Sequence, residues 1–281
     1  MKIYHTTKGL QETLHVTPIE TTIGFVPTMG ALHQGHISLV EKALKENTVV
    51  VVSIFVNPTQ FDNEGDLTKY PRTLEADSQL LSKTSKNIII FAPTPSEVYG
   101  ENITSKKYNF GKLASEMEGK HRKGHFDGVG TVLNHLFRII EPDRAYFGEK
   151  DFQQLQIVKK LVVLENLPVT VVGCPILREK DGLAMSSRNK RLTEAQRENA
   201  VFISEILKTT QQQFQKKTIE ELTQFAENAF AENEHLELEY FEIANIKNLK
   251  TARKKKEGKK YRAFIAAYAG EIRLIDNMAL N

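Results

Sequence analysis

The hydrophobic pattern is clearest between residues 21 and 56, where two apolar runs flank an amphipathic segment. Residues 21–26 are mostly β-branched or aromatic and residues 49–56 are almost continuously apolar, so each run predicts a buried strand. Between them, Ile37, Val40 and Leu44 recur at helical spacing, which predicts an amphipathic helix. A strand, a helix and a strand in this length predict a βαβ unit with parallel strands and a right-handed crossover.

The same alternation continues as far as residue 177. Further strands are predicted at residues 3–4, 87–93, 143–147 and 168–177, and helices at 73–84, 129–140 and after the turn at 148–151. Residues 58–65 are predicted to form a loop because they include Pro58, Asp62, Asn63 and Gly65, and residues 94–128 are expected to be rich in loops. This alternation predicts an α/β fold with a doubly wound parallel sheet.

After residue 177 the pattern changes. A polar segment leads to a helix that begins near Thr193, which is suited to cap it, and a second helix is predicted at residues 218–231. Three strands follow at residues 236–246, 260–270 and 271–280, with a basic turn at 251–260 between the first two. We therefore predict two domains: residues 1–176 carry the parallel sheet, and residues 177–281 form a smaller α+β domain.

Composition narrows the possible functions. The 281 residues are 40% hydrophobic, and the formal net charge of +3 is too small to indicate a nucleic-acid binder. The single cysteine, Cys174, excludes an internal disulfide and a multi-cysteine metal site, and its apolar neighbours predict that it is buried. No signal peptide opens the sequence, and no apolar run approaches the ~20 residues that span a bilayer. We expect a soluble cytoplasmic protein without a membrane partner.

The turn between the first two central strands carries the most distinctive polar residues. His33 and His36 are three residues apart, so both imidazoles lie on one face of a helix that begins near His33. Gly35 leaves room for a phosphate or a base to approach the backbone. Because a helix N-terminus attracts anions, this turn predicts a site that stabilises charge on a reacting phosphate.

Four polar clusters fall at predicted strand ends, where open α/β sheets bind ligands. They are MGALHQGH (29–36), NPTQF (57–61), GEKDFQQ (148–154) and MSSRN (185–189). Lys150 is suited to bind phosphate, Asp151 to accept from ribose hydroxyls, and Arg188 with the two preceding serines to bind a polyphosphate. The neutral amides of Gln60 and Gln154 suit a small substrate with hydroxyls and a carboxylate.

Six stretches, GFVPTMGALHQGH, VVVSIFVNPTQF, DLTKYPRTLEAD, EGKHRKGHFDGVGTVL, FGEKDFQQL and DGLAMSSRN, carry a specific resemblance. With them the chain resembles the pantoate–β-alanine ligase family over essentially its full length. The resemblance implies a Rossmann-like nucleotidyl-transferase domain with a lid domain, and a typical homodimer. It also implies that ATP and (R)-pantoate, with Mg²⁺, give pantoyl adenylate and pyrophosphate. β-Alanine then attacks the acyl carbon, and pantothenate and AMP are released.

The resemblance also implies a role for individual residues. His36 and His33 are the implied catalytic residues, with His36 as the catalytic acid. The implied ATP-binding residues are Met29, Gly30, Ala31, Leu32, His33, Gln34, Gly35, His36, Gly148, Glu149, Lys150, Asp151, Leu177, Met185, Ser186, Ser187 and Arg188. Gln60 is expected to contact pantoate and the β-alanine site, and Gln154 to contact pantoate.

One departure from the family pattern concerns the metal. Some members have consecutive acidic residues in the helix after YPR, whereas this chain has Glu75-Ala76-Asp77. We therefore assign no protein ligand to Mg²⁺ and expect the ATP phosphates to hold it. Three other hypotheses remain open: a nucleotidyltransferase that releases a nucleotide-linked product, an RNA-binding module that uses the KHRK and ARKKKEGKK runs, and a non-catalytic nucleotide-binding domain.

Overall fold

The computed structural model describes residues 1–16, 18, 20–61 and 64–281, which divide into two units. The first unit comprises Met1–Phe110, His121–Glu149 and Gln153–Pro175. The second comprises Gly111–Lys120, Lys150–Phe152 and Ile176–Asn281, so two short earlier segments join the C-terminal part of the chain. The lid role of that part stays a prediction.

The first unit is built on a six-stranded sheet whose strand pairs are all parallel. Its strands are β1 (Lys2–Tyr4), β2 (Ile23–Thr28), β3 (Val49–Ile54), β4 (Ile88–Phe91), β5 (Arg144–Gly148) and β6 (Thr170–Cys174). They lie in the order β1-β4-β3-β2-β5-β6. Val50, Val51 and Val52 of β3 are fully buried on both faces of the sheet, which explains the continuous apolar run. The predicted doubly wound parallel sheet is confirmed.

Helices alternate with these strands along the chain. They are α1 (Thr7–His15), α2 (Gln34–Glu46), α3 (Glu64–Lys69), α4 (Leu74–Thr84), α5 (Pro95–Tyr99), α6 (Met117–His121), α7 (His125–Ile140) and α8 (Phe152–Leu164). Ile37, Val40 and Ala43 of α2 are buried, so its apolar stripe faces the core as the spacing predicts.

Two predicted loops are partly helical. In the predicted loop at residues 58–65, Pro58–Gln60 forms a 3-10 turn and α3 begins at Glu64; Asp62 and Asn63 lie outside the described residues. In the predicted loop-rich stretch at 94–128, α7 already begins at His125 instead of residue 129. Gly128, the last residue of that stretch, lies inside α7 and permits close packing: a Cβ there would lie 2.2 Å from the carbonyl oxygen of Thr59.

The C-terminal part of the second unit contains a three-stranded antiparallel sheet and three helices, counted within its described residues. The elements are α9 (Glu194–Asn199), α10 (Val201–Gln213), α11 (Ile219–Ala231), β7 (Glu237–Asn245), β8 (Tyr261–Ala269) and β9 (Ile272–Ala279). Thr193 accepts from the backbone N–H of Gln196, and Gln196 returns a bond, so the predicted cap is confirmed. The single helix predicted after Thr193 is divided at Ala200 into α9 and α10.

The strand order places the site in the first unit. From β2 the chain proceeds to β3 on one side, and β5 pairs with β2 on the other side. Parallel sheets bind ligands beyond the carboxyl ends of strands where the order reverses in this way. The carboxyl ends of β2, β3 and β5 therefore share one edge of the sheet, where the candidate site of the first unit lies. Among the described residues, no helix is both long and apolar enough to cross a bilayer.

Candidate active site

The turn after β2 has an unusual backbone. Gly30 and Ala31 have φ values of 83° and 51°, both in the left-handed region. The N–H of Gly30 donates to Thr28 Oγ1 over 3.2 Å, and the N–H groups of Ala31 and Leu32 donate to the two carboxylate oxygens of Asp77. Side-chain acceptors thus hold three successive amides of the predicted ATP-binding turn.

His33 and His36 cap the helix that the turn leads into. His33 is the N-cap of α2, and its Nδ1 accepts from the N–H of Gly35 over 3.1 Å. In return, Nδ1 of His36 accepts from the N–H of His33 over 3.3 Å. The centroids of the two rings are 4.1 Å apart. Both imidazoles therefore lie together at the helix N-terminus, as the spacing predicts.

The capping bonds also determine what each ring can do. A ring nitrogen that accepts a backbone N–H carries no proton, so a neutral ring held in this way has its proton on Nε2. Each Nε2–H of His33 and His36 is then a hydrogen-bond donor. Two such donors beside the positive end of α2 can stabilise negative charge that develops on a phosphate.

Gln60 lies beside this turn and is 9% exposed. Its Oε1 accepts from Asn57 Nδ2 over 3.0 Å, and its Nε2 lies 3.2 Å from the sulfur of Met29. The structure thus brings together a predicted pantoate-binding residue and the first residue of the predicted ATP-binding turn. Because Oε1 is used by Asn57, Gln60 presents its Nε2 donor toward the turn.

Tyr99 fixes the amide of Asn57. Its hydroxyl donates to Asn57 Oδ1, which also accepts from Thr59 Oγ1 over 3.1 Å. With Oδ1 fixed as an acceptor, Nδ2 must face Gln60. Burial raises the pKa of Tyr99 to about 12, although hydrogen bonds from neighbouring groups oppose the shift, so the hydroxyl keeps its proton at neutral pH. Tyr99, Asn57 and Gln60 form a hydrogen-bonded relay that orients the side-chain amide of Gln60.

The N-terminus of α7 supports the same segment. His125 is 5% exposed, and its Nδ1 lies 2.9 Å from the backbone oxygen of Gln60, to which it donates. Arg122 Nη1 lies 3.3 Å from Nε2 of the same ring. One histidine of the cationic stretch 120–125 is therefore buried and hydrogen-bonded to the backbone of Gln60.

The other predicted residues of the first unit follow β5. Gly148 ends β5 and pairs with Cys174 of β6, and Glu149 begins the 3-10 turn that leads to α8. Gln154 lies in the first turn of α8 and is half-buried. Its side-chain amide has no hydrogen-bond partner in the part of the chain that the structure describes. These residues lie on the shared sheet edge, and their substrate contacts stay predictions.

In the second unit, the predicted residues Leu177 and Met185 are brought together. The N–H of Met185 donates to the carbonyl of Leu177 over 3.1 Å, which closes a short hairpin. Arg178 donates to both carboxylate oxygens of Asp276 at 2.6 and 3.0 Å, and Asp276 is 3% exposed. This bidentate pair fixes the hairpin to β9.

The predicted polyphosphate residues follow this hairpin. Ser187 and Arg188 begin a 3-10 helix, and Ser186 caps it by accepting from the N–H of Arg188 over 3.3 Å. Lys150 and Asp151 also belong to the second unit, and Lys150 Nζ lies 3.9 Å from Asp151 Oδ1. Asn277 Nδ2 donates to the backbone oxygen of Lys150 over 2.8 Å and holds that segment.

Sequence patterns missed the residues that orient the predicted ones. Asp77 accepts from the backbone of Ala31 and Leu32, and Tyr99 donates to Asn57, the partner of Gln60. Arg178 fixes the hairpin that joins Leu177 to Met185, and Asn57 was noted only as part of a polar cluster. A weak signal existed for Asp77, because it lies in the stretch that departs from the consecutive acidic pattern. For Tyr99 no local signal exists, because its partner Asn57 is 42 residues away.

The side chain of Cys174 is a free, buried thiol. It is 3% exposed, and burial raises the pKa of its thiol to about 11. The predicted role as a buried small apolar residue is confirmed. Within the described residues, no cluster of three or more His, Cys, Asp and Glu side chains could hold a metal ion.

Comparison with known proteins agrees with this geometry. Residues 2–279 match the family model described as pantoate-beta-alanine ligase. A pantothenate synthetase from Christiangramia forsetii is 58% identical over 260 residues, 92% of each chain, and one from Bacteroides fragilis is 46% identical over 279 residues, 99% of this chain and 98% of that one.

Solved structures extend the likeness to the whole fold. A pantothenate synthetase structure from Thermus thermophilus superposes with a TM-score of 0.92 at 40% identity, covering 100% of this chain and 99% of that one. A pantoate-beta-alanine ligase from Francisella tularensis, complexed with beta-gamma ATP and beta-alanine, gives 0.83 at 38% identity and covers 100% of this chain and 98% of that one. With its parallel sheet, its paired capping histidines and these matches, the chain belongs to the pantoate–β-alanine ligase family.

Proposed function

We propose that the protein condenses (R)-pantoate with β-alanine through pantoyl adenylate and releases pantothenate, AMP and pyrophosphate. The observation that supports the proposal is the contact between Gln60 Nε2 and the sulfur of Met29, because an amide donor beside the capped turn suits a carboxylate substrate. The structure from Francisella tularensis complexed with beta-gamma ATP and beta-alanine supports ATP and β-alanine as two of these substrates.

In the proposed reaction, Gln60 holds the substrate acid, and His33 and His36 donate hydrogen bonds to the reacting phosphate. A carboxylate oxygen of pantoate, held by the Nε2 donor of Gln60, attacks the α-phosphorus of ATP, and pyrophosphate leaves. The Nε2–H groups of His33 and His36 donate to the phosphate oxygens as charge grows there. The β-alanine amine then attacks the acyl carbon, AMP leaves with the bonding electron pair, and the amine loses a proton to solvent. No protein nucleophile is needed.

Several finer statements belong to the proposal. Mg²⁺ would be held by the ATP phosphates and would neutralise their charge there. Because both carboxylate oxygens of Asp77 accept from backbone amides, we assign Asp77 no metal contact. Gln154 contacts pantoate; Gly148, Glu149, Lys150, Asp151, Leu177, Met185, Ser186, Ser187 and Arg188 contact ATP. The active form is a homodimer in the cytoplasm, where a thiol such as Cys174 stays reduced. Residues 177–281 act as a lid.

The test omits each substrate in turn and follows both AMP and pyrophosphate. With ATP, Mg²⁺ and pantoate alone we expect one pyrophosphate per active site and no free AMP; added β-alanine should start steady AMP release. A nucleotidyltransferase would instead produce pyrophosphate without AMP. AMP formation that ignores pantoate and β-alanine would contradict the proposed reaction.

A further inference from the structure

Asp77 is a buried carboxylate without a role in the chemistry described above. It lies in the first turn of α4, is 3% exposed, and uses both oxygens. Its Oδ1 accepts from the N–H of Leu32 over 2.7 Å, and its Oδ2 accepts from the N–H of Ala31 over 2.9 Å and from Thr73 Oγ1 over 3.1 Å. A buried carboxylate is stable only when its lone pairs are satisfied in this way.

The turn that Asp77 holds needs an external support. Ala31 has φ of 51°, a conformation that a residue with a Cβ adopts at a cost. Gly30 precedes it at φ of 83°, and a Cβ on Gly30 would lie 3.1 Å from Asp77 Oδ2. The missing side chain admits the carboxylate, and the carboxylate holds Ala31 in its strained conformation.

This support acts on the imidazoles through the chain. Leu32 directly precedes His33, so the bond from Leu32 to Asp77 fixes the point at which α2 begins. The acceptors run in sequence: Asp77 holds residues 31 and 32, and His36 holds residue 33. If residues 31–32 relax, the N-cap and both Nε2 donors move with them.

We propose that Asp77 is a positioning residue for adenylation: it holds the left-handed turn at Ala31 and Leu32 so that His33 and His36 meet the reacting phosphate. The inference rests on the proposed function. It assigns Asp77 to the backbone and not to magnesium, because Oδ1 already accepts from the N–H of Leu32, and Oδ2 accepts from the N–H of Ala31 and from Thr73.

The test compares Asp77→Asn with Glu75→Gln. The asparagine side chain keeps the shape of the carboxylate but cannot accept at both atoms. Glu75 is an exposed carboxylate two residues earlier in the same helix, so its substitution controls for charge. For Asp77→Asn we expect kcat/KM for ATP to fall by about 10- to 100-fold, while the KM for pantoate changes by less than about threefold. The Mg²⁺ concentration that gives half-maximal rate (the Mg²⁺ midpoint) should stay within about twofold of the wild-type value. A tenfold loss corresponds to about 1.4 kcal/mol.

Amide hydrogen exchange on the free protein tests the same inference without substrate. In Asp77→Asn the backbone amides of residues 31–33 should exchange at least about tenfold faster than in the wild type. In Glu75→Gln the exchange rates of the same amides should not change. This experiment contains no ATP, so its result does not depend on the proposed reaction. If the wild-type protein made no AMP, that finding would refute the proposed reaction but not the role of Asp77 in holding the turn. Unchanged exchange, or a Mg²⁺ midpoint raised about tenfold with the turn intact, would overturn the positioning role.

Thr73→Val covers the case in which Asp77→Asn does not fold. Thr73 is the N-cap of α4 but makes no side-chain cap bond, because its hydroxyl donates to Asp77. Valine therefore removes one bond to the carboxylate without removing a cap. We expect about a threefold loss in kcat/KM for ATP and faster exchange at residues 31 and 32. Wild-type values for both quantities would contradict the inference.

Discussion

His36 serves two purposes in this structure, and one pair of substitutions separates them. Its Nδ1 caps α2 by accepting from the N–H of His33, and its Nε2–H is the proposed donor to the phosphate. His36→Ala removes both. His36→Gln removes the imidazole but supplies a glutamine at the third helical position, where Gln accepts the same backbone N–H in capping boxes.

The two variants should therefore differ in stability and agree in activity. Loss of a cap costs about 0.5–2 kcal/mol, and loss of a positioned donor to the transition state costs about 10²–10³ in rate. We expect the Tm of His36→Ala to fall by about 2–4 °C for each kcal/mol of stability lost, and the Tm of His36→Gln to stay close to that of the wild type. Both should release pyrophosphate about 10²–10³ times more slowly.

The assay is a single turnover with ATP, Mg²⁺ and pantoate but no β-alanine, followed by pyrophosphate release, with thermal unfolding measured on the same samples. His15→Ala is a matched control, because His15 is an exposed histidine in the last turn of α1. A His36→Gln variant with wild-type turnover would refute the catalytic role and leave His36 as a cap alone.

Three other substitutions or treatments test the remaining parts of the site. Gln60→Ala should raise the KM for pantoate by about 5- to 150-fold, from about 1–3 kcal/mol for unpaired buried partners, with little change in the KM for ATP; equal losses in initial-rate measurements would contradict this. Tyr99→Phe should raise the KM for pantoate by only about 2- to 12-fold, because Asn57 Oδ1 keeps its bond from Thr59; an unchanged value would remove Tyr99 from the relay. Iodoacetamide at pH 8 should not label Cys174 in the folded protein, because burial raises the pKa of its thiol to about 11, and should label it once the protein is unfolded. Rapid labelling of the folded state, measured by mass spectrometry, would contradict the burial argument.

The relay also predicts the pH range in which the site is intact. An unfolded tyrosine ionises near pH 10, whereas burial raises the pKa of Tyr99 to about 12 in the folded state. The folded state thus binds one more proton between these values. The contribution of Tyr99 to stability is complete below about pH 10 and is lost as the pH rises toward 12.

Local sequence patterns predicted the parts of the fold that repeat at short range. The apolar run at residues 49–56 appears as β3, and the stripe of Ile37 and Val40 appears on the buried side of α2. Thr193 also caps its helix as its type and spacing predict. The predicted start of α7 was wrong by four residues, because its first turn packs against Thr59, which is distant in the sequence, and local patterns do not detect such a contact.

The sequence showed which residue types the candidate site contains, but it did not show which hydrogen bonds orient their side chains. The spacing of His33 and His36 predicts two imidazoles on one face, and the structure shows that their own capping bonds set the tautomers. The acceptor at Asp77 lies 45 residues from its donor at Leu32, and a pattern based on helical or strand period cannot detect such a pair.

The buried polar side chains explain why the motif alone does not specify the site. Two of the polar side chains at the site join segments that are distant in the chain: the buried Asp77 joins α4 to the turn before α2, and the half-buried Tyr99 joins α5 to the segment after β3. An unsatisfied partner in such a position costs about 1–3 kcal/mol, which is large enough to shift a turn that already holds a left-handed alanine. A chain with the same histidines and glutamine but without an acceptor at residue 77 or a hydroxyl at residue 99 would keep the motif and lose part of the geometry. The precision of this site therefore depends on hydrogen bonds between segments that lie far apart in the chain.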